Sequence, residues 1–141
     1  MASRRRARQR ALQILFLWDA RRPQPQAPDA LNQYYDSLYH EEQPHRDPFV
    51  DDLVQGTVDH IAELDDRIQR HAEHWRIERM PAVDRNILRL AVYEMTHVGT
   101  PSPVAIDEAL ELARKFSNEE SVQFVNGVLD AVSRELASRK T

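Results

Sequence analysis

The sequence predicts an all-α protein of about seven helices, arranged as two packed three-helix groups that form one compact domain. Apolar residues recur three and four positions apart along most of the 141 residues, which is the helical period. No segment shows the alternation of a half-buried strand, and no internal repeat is visible. The length suits one hydrophobic core, so we expect a single domain over residues 1–141, with residues 1–3 and 138–141 frayed.

The first predicted helix joins a basic surface to an apolar one. Residues 4–10 include five arginines, and Ala11, Leu15 and Trp18 follow at spacings of four and three, so these three share one side. That side must be buried, which leaves the arginines projecting from the first turns. The helix should end near Arg21, because prolines at positions 23, 25 and 28 follow.

Three helices are predicted in the middle of the chain. Asp29 caps the first, whose apolar spacing extends to Tyr39. Pro48 suits the first turn of the second, which should run to about Ala62. The third should span about Leu64–Trp75, and both of these end residues belong to its apolar stripe.

Two further helices follow a short connector. Pro81 opens a helix that is apolar almost all round, which predicts a central position in the protein, and Gly99 ends it. The next helix should run from a Ser102 cap to about Lys115. Its apolar residues keep the helical spacing throughout.

The last predicted helix begins with a capping box, in which Ser117 and Glu120 satisfy each other's free backbone N–H groups. It should run to about Ala137. Gly127 in its interior costs about 1 kcal/mol relative to alanine. We therefore expect Gly127 to allow close contact with a neighbouring helix.

Charge is strongly segregated along the chain. Residues 1–22 carry seven arginines and one aspartate, net +6, whereas residues 23–141 carry 12 basic and 22 acidic residues, net −10. Arginines at a helix N-terminus lie at the positive end of the helix dipole, so they do not serve stability there. This pattern predicts a site for a polyanion, and the alternative is a solvated basic tail.

The composition excludes several classes of protein. Without cysteine there is no disulfide, thiolate nucleophile, zinc ribbon or iron–sulfur cluster. Three scattered glycines cannot form a phosphate-binding loop, so no nucleotide cofactor is predicted. The chain also lacks an apolar run of membrane-spanning length and the pattern of a signal peptide. We therefore expect a cytoplasmic protein without cofactors.

Metal and catalytic patterns are weak in this sequence. His40 and His45 flank two glutamates at a spacing of five rather than the four of a zinc motif, and Pro44 interrupts the helix that such a motif needs. His71 and His74 lie three apart on a predicted helix without an obvious third ligand. Serines and carboxylates form no recognisable catalytic arrangement. We predict no metal and no enzymatic activity.

Two groups of residues have both a structural and a functional interpretation. Glu73, Glu78 and Asp84 surround the Trp75–Pro81 connector and serve either solubility or contact with a basic protein. Aromatic residues at helical spacing, such as Phe16 and Phe124, usually belong to the core. If they lie exposed at the basic end, they can instead stack on unpaired RNA bases.

Three segments together resemble the family of the bacterial transcription antitermination factor NusB. They are SRRRARQRALQILFLWD, AVDRNILRLAVYEM and VAIDEALELARKFSNEESVQFVNGVLD. The resemblance covers most of the chain and is strongest over Val104–Asp130. It implies a non-catalytic, all-helical protein of two three-helix groups that binds boxA RNA of nascent ribosomal RNA transcripts. Its implied partner is a small-subunit ribosomal protein that acts as NusE in the transcription elongation complex.

The resemblance also implies roles for individual positions. The arginine cluster that binds RNA falls on Arg4, Arg5, Arg6 and Arg8. Positions near the RNA fall on Phe16, Glu120 and Phe124. Acids that face the protein partner fall on Glu78 and Asp84. Phe16 stands where tyrosine is familiar in the family and Glu120 where aspartate is, so a hydroxyl contact at the first position is lost while stacking survives.

Two other functions are compatible with the same sequence. NusB-like domains also occur fused to ribosomal RNA cytosine methyltransferases, so an accessory RNA-binding domain that acts in trans is one alternative. A helical scaffold with a basic tail that binds nothing specific is the other. Members of the family differ in self-association, so both a monomer and a homodimer that hides the RNA face are compatible with the resemblance.

Overall fold

Seven α-helices account for most of the computed structural model, which describes residues 3–37 and 46–139. They are α1 Arg4–Ala20, α2 Ala27–Asp36, α3 Pro48–Asp59, α4 Ile61–Arg70, α5 Ala82–Tyr93, α6 Ser102–Phe116 and α7 Glu119–Ser138. A 3₁₀ turn precedes α5 at Ile77–Arg79, and a π-helical turn continues α5 over Glu94–Val98. The described residues contain no strand, so the predicted all-α class is confirmed.

The helices form the two expected groups around α5. Helices α1, α2 and α3 pack against one another, as do α5, α6 and α7, and α4 bridges the groups through α3, α5 and α7. Helix α5 also contacts α1 and α3, and nine of its twelve residues are buried. A helix that is apolar on every side can be stable only when it is surrounded, and the predicted central position is confirmed.

Helix α1 is held in place from both ends. Ser3 caps it by accepting a hydrogen bond from the Arg6 backbone N–H at 3.0 Å. At the other end, Asp19 is buried and accepts hydrogen bonds from Arg85 and Asn86 of α5. Burial raises the pKa of Asp19, but the hydrogen bonds and charges of Arg85, Arg89 and Asn86 outweigh it, so the pKa is lowered overall. The charged carboxylate thus ties α1 to the centre of the fold.

Several helix ends differ from the predicted ones. Helix α2 begins at Ala27, before Asp29, because Pro28 occupies its first turn. Helix α3 ends at Asp59 and α4 follows after His60 alone. The Ser102 cap is also wrong, since Ser102 is the first residue of α6. Tyr39, His40 and His45 lie outside the described residues.

Trp75 does not belong to the core, which corrects the predicted extent of the fourth helix. Helix α4 ends at Arg70, and Trp75 lies in the following loop with 52 % of its surface exposed. The side chain of Gln69 donates to the carbonyl oxygens of Ala72 and Trp75 and accepts from the Ile77 N–H. These bonds replace further helical ones and stabilise the loop.

The predicted roles of Ser117 and Gly127 are also wrong. Asn118, rather than Ser117, caps α7 by accepting from the Ser121 N–H at 2.9 Å. Gly127 is exposed, and a Cβ atom there would meet no other atom within 4 Å. The glycine that packs closely is Gly56, where a Cβ would come within 2.0 Å of the Tyr93 ring. Within the described part of the chain, no helix is both long and apolar enough to cross a membrane.

Candidate nucleic-acid interface

Three arginines at the start of α1 form an exposed basic cluster, defined here as Arg4, Arg5 and Arg6. The guanidinium of Arg4 lies over the ring of Phe49, 4.0 Å from its centroid. Arg5 donates two hydrogen bonds to Glu108 at 3.1 and 3.2 Å, and the bond to Glu108 raises the pKa of Arg5. These contacts hold the cluster on ordered structure while its charges stay accessible to solvent.

Arg8 differs from its neighbours because it points into the protein. Only 6 % of its surface is exposed, and its guanidinium donates two hydrogen bonds of 2.8 Å to the Glu94 carboxylate. Glu94, 2 % exposed, also accepts a hydrogen bond from Thr100. The hydrogen bond to Glu94 raises the pKa of Arg8 despite its burial. This pair links the first turns of α1 to the π-helical turn that follows α5.

An apolar groove lies beyond the basic cluster. Lys115 of α6 donates a hydrogen bond to Gln9 of α1 at 3.3 Å, so side chains of the two helices meet. The groove has a volume of about 360 Å³ and is lined by Leu12, Gln13, Phe16, Leu17, Tyr34, Val83 and Phe116. Phe16 is 40 % exposed. The residue is therefore accessible from solvent, which favours its functional interpretation.

A second groove begins next to the first, since Val83 lines one and Asp84 the other. It measures about 300 Å³ and is lined by Trp75, Met80, Pro81, Asp84, Asn118, Glu120, Ser121 and Phe124. The rings of Trp75 and Phe124 meet edge to face with 6.4 Å between their centroids. Glu120 is exposed at the rim. The groove thus combines aromatic surface with a carboxylate acceptor.

Asp84 supports this second groove from within. It is 4 % exposed and accepts hydrogen bonds from the hydroxyl groups of Ser117 and Ser121, at 3.1 and 2.8 Å. These bonds attach the start of α7 to the start of α5. The carboxylate therefore fixes the first turn of α7, which presents Glu120.

Three surfaces follow one another along α1, the end of α6 and the start of α7. They are the basic cluster, the apolar groove and the second groove, which is called the aromatic groove below. Arginine and lysine side chains neutralise phosphates, exposed rings stack on unpaired bases, and a carboxylate accepts hydrogen bonds from amino groups of bases. The model of the NusB family matches residues 5–134.

The chain belongs to the NusB family. It is 81 % identical to the transcription antitermination protein NusB of Solibacter usitatus, over 96 % of this chain and 92 % of that protein. Its structure is similar to that of T. maritima NusB, with a TM-score of 0.82 and 34 % identity over 95 % of this chain and 92 % of that one. It is also similar to a chain in a crystal structure of the antitermination factors NusB and NusE in complex with dsRNA. That TM-score is 0.78, with 29 % identity over 94 % of this chain and 96 % of that chain.

The structure corrects two of the NusB-family positions transferred from the resemblance. Arg8 is not accessible to a phosphate, because Glu94 occupies its guanidinium. Asp84 does not face a partner, because it is buried beneath Ser117 and Ser121. Both residues hold helices that carry the candidate interface, so we assign them positioning roles. Burial of a charged residue depends on distant parts of the chain, and neither position carried a local signal of it.

The remaining predicted positions are accessible in this NusB-family chain. Arg4, Arg5, Arg6, Phe16 and Glu120 are exposed, and Phe124 is partly so. Glu78 is exposed beside Arg76. Trp75 was missed as a residue of the candidate interface because its spacing matched the preceding apolar stripe. The only available signal was its position immediately before the connector to the central helix.

His71, one of the two histidines that lie three positions apart, is engaged by a carboxylate. His71 contacts Glu135 at 2.7 Å, and that carboxylate also pairs with Arg67 and Arg70. Burial raises the pKa of Glu135, but the bond to His71 and the two arginines outweigh it and lower the pKa. A different group, formed by His60, Glu63 and His97, was not anticipated.

Proposed function

We propose that this NusB-family protein binds single-stranded boxA RNA of nascent ribosomal RNA transcripts in the cytoplasm. It would do so together with a small-subunit ribosomal protein acting as NusE in the elongation complex, and without catalysing a reaction. The observation that carries this proposal is the ordered succession of exposed arginines, an apolar groove and an aromatic groove. A chain in the solved complex of NusB and NusE with dsRNA is similar to this chain over most of its length, which supports the part of the proposal that names RNA and NusE as partners.

The two parts of the interface have different roles in this proposal. Arg4, Arg5 and Arg6 neutralise phosphates, which contributes affinity without reading the sequence. Arg5 exchanges its contact with Glu108 for a phosphate, and this costs little because exposed ion pairs are weak. Phe16 and Phe124 stack on bases, and Glu120 accepts hydrogen bonds from their amino groups.

In this proposal, the protein partner contacts the acidic part of the chain, which is residues 23–141. Glu78 and Glu73 are exposed around the loop that contains Trp75. Most ribosomal proteins that bind RNA are basic, and a basic partner is attracted by the net charge of −10 over residues 23–141. The partner would lie next to the aromatic groove, so that the RNA touches both proteins.

The direct test measures RNA binding with and without the partner. Fluorescence anisotropy of labelled boxA RNA should show at least a tenfold gain in affinity when the NusE protein is added, about 1.4 kcal/mol of coupling. A scrambled RNA of equal length should bind more weakly. Equal affinities for the two RNAs would favour a scaffold without specific RNA binding, and methyl transfer with added donor would favour the accessory-domain alternative.

The basic cluster should determine how binding responds to salt. If Arg4, Arg5, Arg6 and Lys115 each neutralise one phosphate, the logarithm of the RNA affinity should fall with log salt at a slope of about −3, using about −0.7 per contact. Arg5→Ala/Arg6→Ala removes two contacts, so the slope should flatten to about −1.5. Titrations at several salt concentrations give both slopes.

The control removes the same charge from the other end of α1. Arg21 and Arg22 are exposed and lie about 24 Å from Arg5 along the helix, which is more than two Debye lengths at physiological salt. Arg21→Ala/Arg22→Ala should therefore leave the slope close to that of the parent. If both double variants flatten it equally, net charge rather than the basic cluster determines binding.

A monomer and a homodimer that hides the RNA face are the two oligomeric states compatible with the resemblance. The interface proposed here would be covered in such a dimer, so RNA and self-association should compete. Sedimentation of the protein at increasing concentration, with and without boxA RNA, measures this. RNA should shift any dimer towards one protein chain per RNA.

A further inference from the structure

We propose that His60, Glu63 and His97 bind a zinc ion. Each residue offers one ligand atom, and the three atoms lie within 4.8 Å of one another. Two imidazoles and one carboxylate, with solvent in the fourth position, form a ligand set that zinc uses in proteins. Magnesium and calcium prefer sets made only of oxygen, so the two histidines favour zinc. None of the three residues lines the RNA-binding grooves.

The three ligands come from separate parts of the fold. His60 separates α3 from α4, and Glu63 lies in the first turn of α4. His97 belongs to the π-helical turn Glu94–Val98, and its Nε2 atom lies 3.1 Å from a Glu63 oxygen. Wide turns of this kind occur frequently at functional sites. A bound ion would therefore join the α3–α4 junction to the end of the central helix.

A hydrogen bond holds His60 in a tautomer that can bind a metal ion through Nε2. Its Nδ1 atom lies 2.9 Å from the Gly56 carbonyl oxygen, which can only accept a hydrogen bond. Nδ1 must therefore carry the hydrogen, and in the neutral ring this leaves the lone pair on Nε2. A histidine that binds a metal commonly donates its other N–H to a carbonyl group in this way, because the bond orients the ring and selects the tautomer.

Binding of the zinc ion requires side chains at the surface to rotate towards it. The three ligand atoms lie within 4.8 Å of one another, whereas a tetrahedral zinc ion holds its ligand atoms about 3.3 Å apart. The ion also lies in the plane of each ring, so the imidazoles of His60 and His97, whose centroids are 4.0 Å apart at 35°, must turn relative to each other. His97 and Glu63 are exposed, so their side chains can rotate to meet this geometry. Their present hydrogen bond shows that they already lie within reach of each other.

Tyr93 forms a fixed floor beneath the histidines. Its ring stacks with that of His97, with 5.5 Å between centroids, and lies 6.0 Å from that of His60. Burial, together with its hydrogen bond to Asp52, raises the pKa of Tyr93 to about 12. The phenol therefore stays neutral and bonded to Asp52 at neutral pH, so it supports the rings without being a ligand.

Zinc titration of the untagged full-length protein tests this site. Isothermal titration calorimetry should show one zinc ion per chain with a micromolar dissociation constant. His97→Gln and Glu63→Gln each remove one ligand and should weaken binding at least tenfold. His74→Gln is the matched control, because His74 is exposed and distant in sequence from the three ligands. It should bind zinc as the parent protein does.

Thermal unfolding gives an independent readout. At zinc concentrations about 100-fold above the dissociation constant, the midpoint of the parent and of His74→Gln should rise by about 5–10 °C. The midpoints of His97→Gln and Glu63→Gln should rise by at most about half as much, because binding that is at least tenfold weaker leaves at most a tenfold excess of zinc over the dissociation constant. Millimolar affinity in the parent, unchanged affinity in both ligand variants, or an equal loss in His74→Gln would each overturn the proposal.

Discussion

Replacement of Glu94 by glutamine is expected to lower the free energy of unfolding by about 3–5 kcal/mol. Glu94 and Arg8 are both buried and share two hydrogen bonds of 2.8 Å. Glutamine keeps the shape but removes the negative charge, and its amide group places a donor against the guanidinium. The Arg8 cation is then buried without compensation. Urea denaturation followed by circular dichroism measures the loss, which corresponds to a fall of about 10 °C or more in the thermal midpoint.

The double variant Arg8→Met/Glu94→Leu separates the two roles considered for Arg8. Apolar residues of similar volume remove both charges together, so the double variant should be markedly more stable than Glu94→Gln. If Arg8 only positions α1, its affinity for boxA RNA and its salt slope should stay close to those of the parent. A salt slope flatter by about 0.7 would instead show that Arg8 reaches a phosphate. An equally unstable double variant would contradict the assignment of the cost to an unpaired charge.

Replacement of Gly56 by alanine is expected to destabilise the protein by about 2 kcal/mol. A Cβ atom at this position would lie 2.0 Å from atoms of the Tyr93 ring. That ring is buried, contacts His60 and His97, and donates a hydrogen bond to Asp52, so it cannot move without breaking these contacts. Overpacking costs about 3 kcal/mol in such a case, and the better helix propensity of alanine returns about 1 kcal/mol.

Gly127 provides the matched control for this substitution. It also lies within a helix, but a Cβ atom there would meet nothing within 4 Å. Gly127→Ala should therefore stabilise the protein by about 0.5–1 kcal/mol, the reverse of the effect at Gly56. In a Tyr93→Ala background, Gly56→Ala should become neutral or stabilising. Similar effects of both glycine substitutions would show that the Tyr93 contact relaxes at little cost.

The local pattern of the sequence predicted the positions of the helices well. Helix α1 and the central helix α5 lie where their apolar spacing placed them, and Gly99 ends the turn after α5 in the left-handed conformation. Helix ends were less predictable. They depend on competition between caps a few residues apart, as at α7, where Asn118 rather than Ser117 takes the cap.

The candidate interface was predicted as a set of residues but not as a surface. Exposure of Arg4, Arg5 and Arg6 follows from the polar start of α1. Trp75 was assigned to the core because its spacing continued the stripe of α4. Its exposure results from the loop that Gln69 stabilises, and that loop has no periodic signature in the sequence.

The sequence by itself determined the helical fold class, the segregation of positive charge at the first helix and the family to which the chain belongs. These properties depend on residue spacing and order, which are written along the chain. Only the tertiary structure decided that Arg8 pairs with Glu94, 86 positions away, that Asp84 lies beneath two serines, and that His60 meets His97. Burial and pairing of polar groups arise where distant segments pack together, so they became visible only once the helices were assembled.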